Sequence, residues 1–304
     1  MYHIQHAGPK GFGLFATRAI QRGTRILAER PTFTIRSDHD LLPAFKTIAS
    51  GNKAYISNLS ASSAKKPPVL DWSEAVWHVV RGVLTQPRGL FPLEEYKTLL
   101  AAFRNNCFNI GDDTRAIFHD ISRLNHSCVP NAQGNFNSAL GSFTIHATQE
   151  IKHDQEITIS YLAEHGAMRH SREAQLHQGY GFKCGCPACD SSTARGQESE
   201  KRRKDLREKL VEFAKNAEGL SVGDGKAELE MVMSLIRMFE EEGLWGRELA
   251  TMYLSAAESN FKANDRPLAK RLSKLGLEME EMCLGLDSPL YKESVGRMRK
   301  IYAL

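Results

Sequence analysis

With 304 residues, 41% hydrophobic and 25% charged, the chain is long and apolar enough to bury a sizeable core and to hold two domains. No run approaches the ~18 apolar residues of a membrane span, and residues 1–13 lack the apolar centre of a signal peptide, so an intracellular protein without membrane contact is expected. Lys and Arg outnumber Asp and Glu by 40 to 36, and the resulting +4 is too small a bias to indicate nucleic-acid binding.

Turn residues divide the N-terminal segment into short β-rich pieces, predicting strands over 14–16, 24–29 and 32–35 with turns at Gly23 and Pro31. Residues 37–68 hold Gly51-Asn52-Lys53, a serine cluster at 60–63 and Lys65-Lys66-Pro67-Pro68, the composition of an inserted, partly helical excursion with a mobile end. Apolar residues recur at helical spacing at Trp72, Ala75, Val76, Val79, Val80 and Val83, and again at Tyr96, Leu99, Leu100 and Phe103, which predicts two helices. Strand-like pieces return at 108–110, 142–145 and 156–161, the last behind the charged turn Lys152-His153-Asp154.

Beyond Cys189 the composition shifts. Residues 190–199 form a polar connector, the basic run 201–204 opens a helix to about 217, and four further helices are predicted near 228–242, 244–262, 267–283 and 289–302. Helix pairs of roughly 34 to 45 residues suit either a TPR-like array or an ordinary bundle. The basic run itself reads as a solvated helix face, and the histidines at 39, 78, 119, 146, 153, 165 and 170 show no ligand spacing.

Six cysteines in a chain of this length, three of them in Cys184-Gly185-Cys186-Pro187-Ala188-Cys189, indicate metal ligation in a reducing compartment rather than a disulfide framework. A tetrahedral site needs a fourth ligand, for which Cys128 and His177 are the rivals. Cys107 and Cys283 are left over, Cys283 as a small buried apolar residue.

Four motifs occur in order: Gly11-Phe12-Gly13-Leu14-Phe15-Ala16, then Asn125-His126-Ser127-Cys128-Val129-Pro130-Asn131, then Glu156-Ile157-Thr158-Ile159-Ser160-Tyr161, then the triple-cysteine run. Together they resemble the SET-domain protein lysine methyltransferases. Gln175-Leu176 and Tyr180-Gly181-Phe182 before the cysteines resemble the SET and MYND domain (SMYD) branch, as does the helical C-terminal half. That branch inserts a cysteine-rich MYND zinc module, and residues 37–104 contain no cysteine, so the module and its partner binding are not carried over.

The resemblance implies an α+β fold: a β-rich SET domain with a zinc-binding post-SET segment, followed by an all-α, TPR-like C-terminal domain. The SET domain would span 1–36 and 105–165, interrupted by a mostly helical insert at 37–104. The post-SET helix and zinc segment would occupy 166–191 and the helical domain 198–304. The implied activity is methyl transfer from S-adenosylmethionine to a lysine of a histone or another protein. Tyr161 and Tyr180 match the catalytic tyrosines. Lys10, Phe12, Leu14, Asn106, Asn125, His126, Tyr161 and Phe182 would bind the cofactor. Phe108, Ser122, Leu124 and Tyr180 would line the lysine channel, and Cys128 would join Cys184, Cys186 and Cys189 on one structural Zn2+.

Such an in-line displacement needs two aligned substrates and an uncharged amine, and an apolar, aromatic-walled channel favours the neutral amine by desolvation. A monomer in the nucleus or cytoplasm is expected, with a protein substrate and no nucleic acid. The helical domain either covers the substrate groove or serves as a platform for partners. The rival reading is a catalytically silent scaffold that recruits partners through that domain.

Overall fold

The structure, a computed structural model, describes residues 1–59, 93–217 and 225–302. The helix predicted over 72–83 and the serine and Lys-Pro segment at 60–68 lie outside them. Three small sheets carry the N-terminal half. In the first, β1 (Tyr2–His6) and β2 (Phe12–Ala16) form an antiparallel pair, β2 pairs with β10 (Glu156–Ile159), and β10 runs parallel to the short β7 (Asn125–His126). In the second, β9 (Ser142–Ala147) lies between β3 (Arg25–Glu29) and β8 (Ala132–Asn137). In the third, β6 (Arg115–Ile117) lies between β4 (Phe33–Ile35) and β5 (Phe108–Asn109).

Every side chain of β9 is buried, as expected of a strand covered on both faces, and Phe143, Ile145 and Ala147 join Leu14, Ile121, Leu124 and Ile157 in one core. Strands β1, β6, β7 and β8 go beyond the sequence reading. Each is short or polar enough that alternation does not declare it: β8 reads Ala-Gln-Gly-Asn-Phe-Asn and β7 has two residues.

Between β4 and β5 stand α1 (Leu41–Thr47), α2 (Ser50–Ser57) and α3 (Leu93–Asn106), which pack Leu41, Phe45, Ile56, Leu99 and Phe103 into a separate apolar cluster. After β10, α4 (Arg169–Tyr180) ends where Gly181 adopts φ +75° and donates its N–H to the Leu176 and His177 carbonyls. That left-handed cap reverses the chain and returns Phe182 and the cysteines toward β7.

The connector after Cys189 is shorter than its composition suggests. Asp190 and Thr193 form a turn in which the Thr193 hydroxyl accepts the Gly196 N–H at 3.2 Å, and α5 (Ala194–Ala217) begins there, ahead of the basic run. Within it Arg203 is not solvated: it is fully buried against Glu242. Helices α6 (Gly225–Glu242), α7 (Arg247–Lys262), α8 (Arg266–Leu284) and α9 (Pro289–Tyr302) follow the predicted spans closely, and each packs on its neighbour in sequence. Among the described residues no helix is long and apolar enough to cross a membrane.

The helical half is tied to the second sheet. Arg25 forms a two-pronged ion pair with Asp287, one prong at 3.0 Å, and the Arg22 guanidinium lies 4.7 Å from the Trp245 ring centre. Gln149 donates to the Gly243 carbonyl at 2.9 Å, and the Arg247 N–H reaches Gln133 at 2.8 Å.

Candidate active site and metal centre

The segment from Asn125 to Asn131 is held by its own polar side chains. Asn131 accepts the Thr158 N–H at 2.8 Å and donates to the Glu156 carbonyl at 2.9 Å, and Ser127 N–H donates to the Ile159 carbonyl at 3.0 Å. An asparagine side chain thereby supplies the ladder contacts that a third strand residue would have made, locking β7 beside β10.

That lock places Tyr161 next to His126. The Tyr161 N–H donates to His126 Nδ1 at 3.0 Å, and its hydroxyl donates to the Leu124 carbonyl at 2.6 Å. Burial holds His126 neutral, with its pKa pushed down to about 4. Burial likewise raises the phenols of Tyr161 and Tyr180, so both remain protonated donors at neutral pH. Tyr161 and Tyr180 have ring centres 4.7 Å apart, and Phe182 stands edge-on to Tyr161 at 6.4 Å and 6.0 Å from the His126 ring.

A cavity of about 200 Å³ opens against this cluster. Its walls include Asn106, Phe108, Ser122, Leu124, Tyr161 and Tyr180, the residues that the resemblance assigned to the lysine channel together with Asn106. Cys107 and Ser160 also line it, without having been singled out for that role. Ser122 fixes the wall from behind, accepting the Phe118 N–H at 3.1 Å and donating to the Asn106 carbonyl at 2.9 Å.

The glycine segment lies on the other side of Asn125. Lys10 Nζ is 2.6 Å from one oxygen of Glu156, whose other oxygen accepts from Asn125 Nδ2 at 2.8 Å. Phe12 is half-exposed, with the Arg123 guanidinium 5.2 Å from its ring centre. Leu14, by contrast, is fully buried, its side chain in the core and its backbone paired with Ile4 on one side and Ile157 on the other. Glu156 is the polar hub that motif reading left without a role. Its sequence signal is a carboxylate at the head of an otherwise alternating apolar strand.

The four cysteines converge. One sulfur each from Cys128, Cys184, Cys186 and Cys189 lies within 4.8 Å of all the others. Thiolates about 2.3 Å from a zinc ion stand about 3.8 Å apart at the corners of a tetrahedron; Cys128 Sγ is 3.9 Å from Cys184 Sγ and 3.5 Å from Cys189 Sγ, and none of the four is in a disulfide. Cys186 is drawn well below the usual thiol range by hydrogen bonds from Cys128, Cys184 and Cys189, whereas Cys128 is pushed up by its own. A soft divalent cation would resolve that contest by taking all four as thiolates. His177, the rival ligand, is exposed on α4 and outside the group. Arg172, fully buried, donates to the Ala188 carbonyl and lies 3.5 Å from Cys189 Sγ, placing positive charge beside a site that would carry net negative charge.

The model of the SET domain matches residues 11–162. Histone-lysine N-methyltransferase set5 of Schizosaccharomyces pombe is 26% identical over 96% of this chain and 81% of its own length. Protein-lysine N-trimethyltransferase SMYD5 of Mus musculus is 44% identical over 22% of this chain, a match that spans only 17% of the mouse protein. Among solved structures, the SET domain of LSMT bound to lysine and AdoHcy overlays with a TM-score of 0.44 at 12% identity, covering 98% of this chain and 88% of that one. The family match extends across the glycine segment, the Asn125 segment and β10 with Tyr161 two residues beyond its end, and the chain belongs to the SET domain family.

Proposed function

We propose that the chain is an S-adenosylmethionine-dependent protein-lysine N-methyltransferase whose target lysine enters the cavity beside Tyr161 and Tyr180. One observation carries the reading: Tyr161 and Tyr180, both neutral phenols, line a single cavity, and the same two rings pack against the cluster that holds Cys128, Cys184 and Cys189. The relatives named above carry histone-lysine and protein-lysine methyltransferase names, which supports the same reaction class.

S-adenosylmethionine would supply an electrophilic methyl group, and the remaining requirements fall on the chain. Asn125, His126 and Phe182, with Lys10 and Phe12 opposite, would hold the cofactor, and Asn106 would add to its wall. Phe108, Ser122 and Leu124 wall the channel, where desolvation disfavours the lysine ammonium and delivers a free amine. Tyr161 and Tyr180 orient that amine through their hydroxyls and ring faces. Cys128, Cys184, Cys186 and Cys189 would hold one structural Zn2+, tying the segment that carries Tyr180 and Phe182 to the strand that carries His126.

The substrate is a protein with an accessible lysine, histone or otherwise, in the nucleus or the cytoplasm, and the chain acts as a monomer without nucleic-acid contact. The test is transfer of a labelled methyl group from S-adenosylmethionine to lysine in histones and in cell-extract proteins. A chain that binds the cofactor yet labels nothing in either pool is the silent scaffold instead.

A further inference from the structure

Glu156 is anchored from two sides. Lys10 Nζ pairs with Oε2 at 2.6 Å, and Asn125 Nδ2 donates to Oε1 at 2.8 Å. The same Asn125 nitrogen also reaches the Phe12 carbonyl at 3.2 Å. Space for this arrangement comes from Gly13, where a Cβ would lie 2.8 Å from Asn125 Nδ2 and 2.9 Å from Glu156 Oε1. The second glycine of the Gly-x-Gly pair therefore makes room for a side-chain contact between β7 and β10.

A carboxylate accepts and never donates, so it can face only the nitrogen end of a primary amide. An amide with both N–H groups directed at Glu156 and Phe12 has one polar atom left, the acceptor Oδ1. We propose that Glu156 is a positioning residue that fixes the Asn125 amide so that Oδ1 is presented as an acceptor, selecting for a cofactor that carries a cationic amino group. The inference rests on the methyltransferase reading and deepens it. Glu156 acts through Asn125 and through the Lys10 pairing, which keeps the lysine from competing with the ammonium for Oδ1.

Glu156→Gln tests it, because a glutamine can present either end of its amide to Asn125, which leaves only the longer, 3.2 Å contact with the Phe12 carbonyl to set the flip. Calorimetry would compare three probes on wild type and variant: S-adenosylmethionine, its decarboxylated analogue, which keeps the ammonium, and 5′-methylthioadenosine, which has neither group. Affinity for the two ammonium-bearing ligands should fall about tenfold, the range of one charge-assisted hydrogen bond, while 5′-methylthioadenosine binds as before and certifies the fold. Equal loss on all three, loss on S-adenosylmethionine alone, or no loss on any overturns the proposal. Failure of the wild type to bind any of the three overturns the methyltransferase reading and this inference with it.

Discussion

The Tyr161 hydroxyl donates to the Leu124 main-chain carbonyl at 2.6 Å while the Tyr161 N–H donates to His126 Nδ1, so one residue is fixed at both ends across the junction of β7 and the cavity. Tyr161→Phe keeps the ring against Tyr180 and removes only the donor. The buried carbonyl then loses its partner at a cost of about 1 kcal/mol. Methyl transfer should drop about tenfold or more, with S-adenosylmethionine affinity changing less than about threefold. A steady-state assay alongside calorimetry checks both, and unchanged turnover would remove the phenol from the mechanism.

Metal content is the second expectation. Purified chain should hold about one zinc ion, the capacity of one four-thiolate site, and Cys128→Ser should lower that content as Cys184→Ser does, because the sulfurs are mutual neighbours. Closing the site links segments 56 residues apart, so loss of the ion should destabilise the fold by several kcal/mol, a drop in melting temperature of roughly 10 °C. Elemental analysis and thermal melts with and without chelator decide it. Full zinc in the Cys128 variant would hand the fourth position to another ligand.

The cysteine run, the glycine pair and the strand leading to Tyr161, which ends two residues earlier than the expected 156–161, were legible because each is a dense local pattern whose chemistry restricts the residue types. The C-terminal helices were legible because period and breakers agree, as at Gly243 and Gly285. What stayed hidden is non-local. The polar strand β8 is a strand because β9 lies beside it, and Arg203 is buried because Glu242, 39 residues on, meets it. Glu156 likewise gained its role only when Gly13, Lys10 and Asn125 met around it, contacts that span up to 146 residues.

Acid should loosen the junction between the β sheets and the helices through His146. Burial, followed by the nearby Arg25 charge, pushes its pKa down to about 4 from an unfolded value of 6.5. The folded state therefore keeps this imidazole neutral while the unfolded state protonates it, so its contribution is intact above pH 6.5 and is lost as pH falls toward 4. The full loss is roughly 3 kcal/mol. His126, depressed to about the same value, adds to the slope over the same window. His146→Gln retains an acceptor for Arg25 Nε, now 3.1 Å from the ring nitrogen, and does not titrate. Urea melts across pH 4–7 should show a shallower decline for the variant; parallel curves would place the acid sensitivity elsewhere.

Glu242 is the sharpest stability test, because it stands at the centre of a buried charge group. Its carboxylate pairs with Arg203 at 3.0 Å and Arg202 at 2.6 Å and accepts from Ser199 at 2.6 Å, contacts that lower its pKa even though burial alone would raise it. Arg203, fully buried, also donates to the His165 carbonyl at 2.6 Å, holding the linker between β10 and α4. Glu242→Leu leaves that guanidinium without its counter-charge, and breaking such a pair costs about 3–5 kcal/mol. Replacing both partners, Arg203→Met with Glu242→Leu, removes the orphaned charge and should recover most of the loss in urea denaturation. If the double variant is as unstable as the single, the gain from removing the orphaned charge is offset by loss of the Arg203 contact with the His165 carbonyl, and the arginine acts as a brace for the linker.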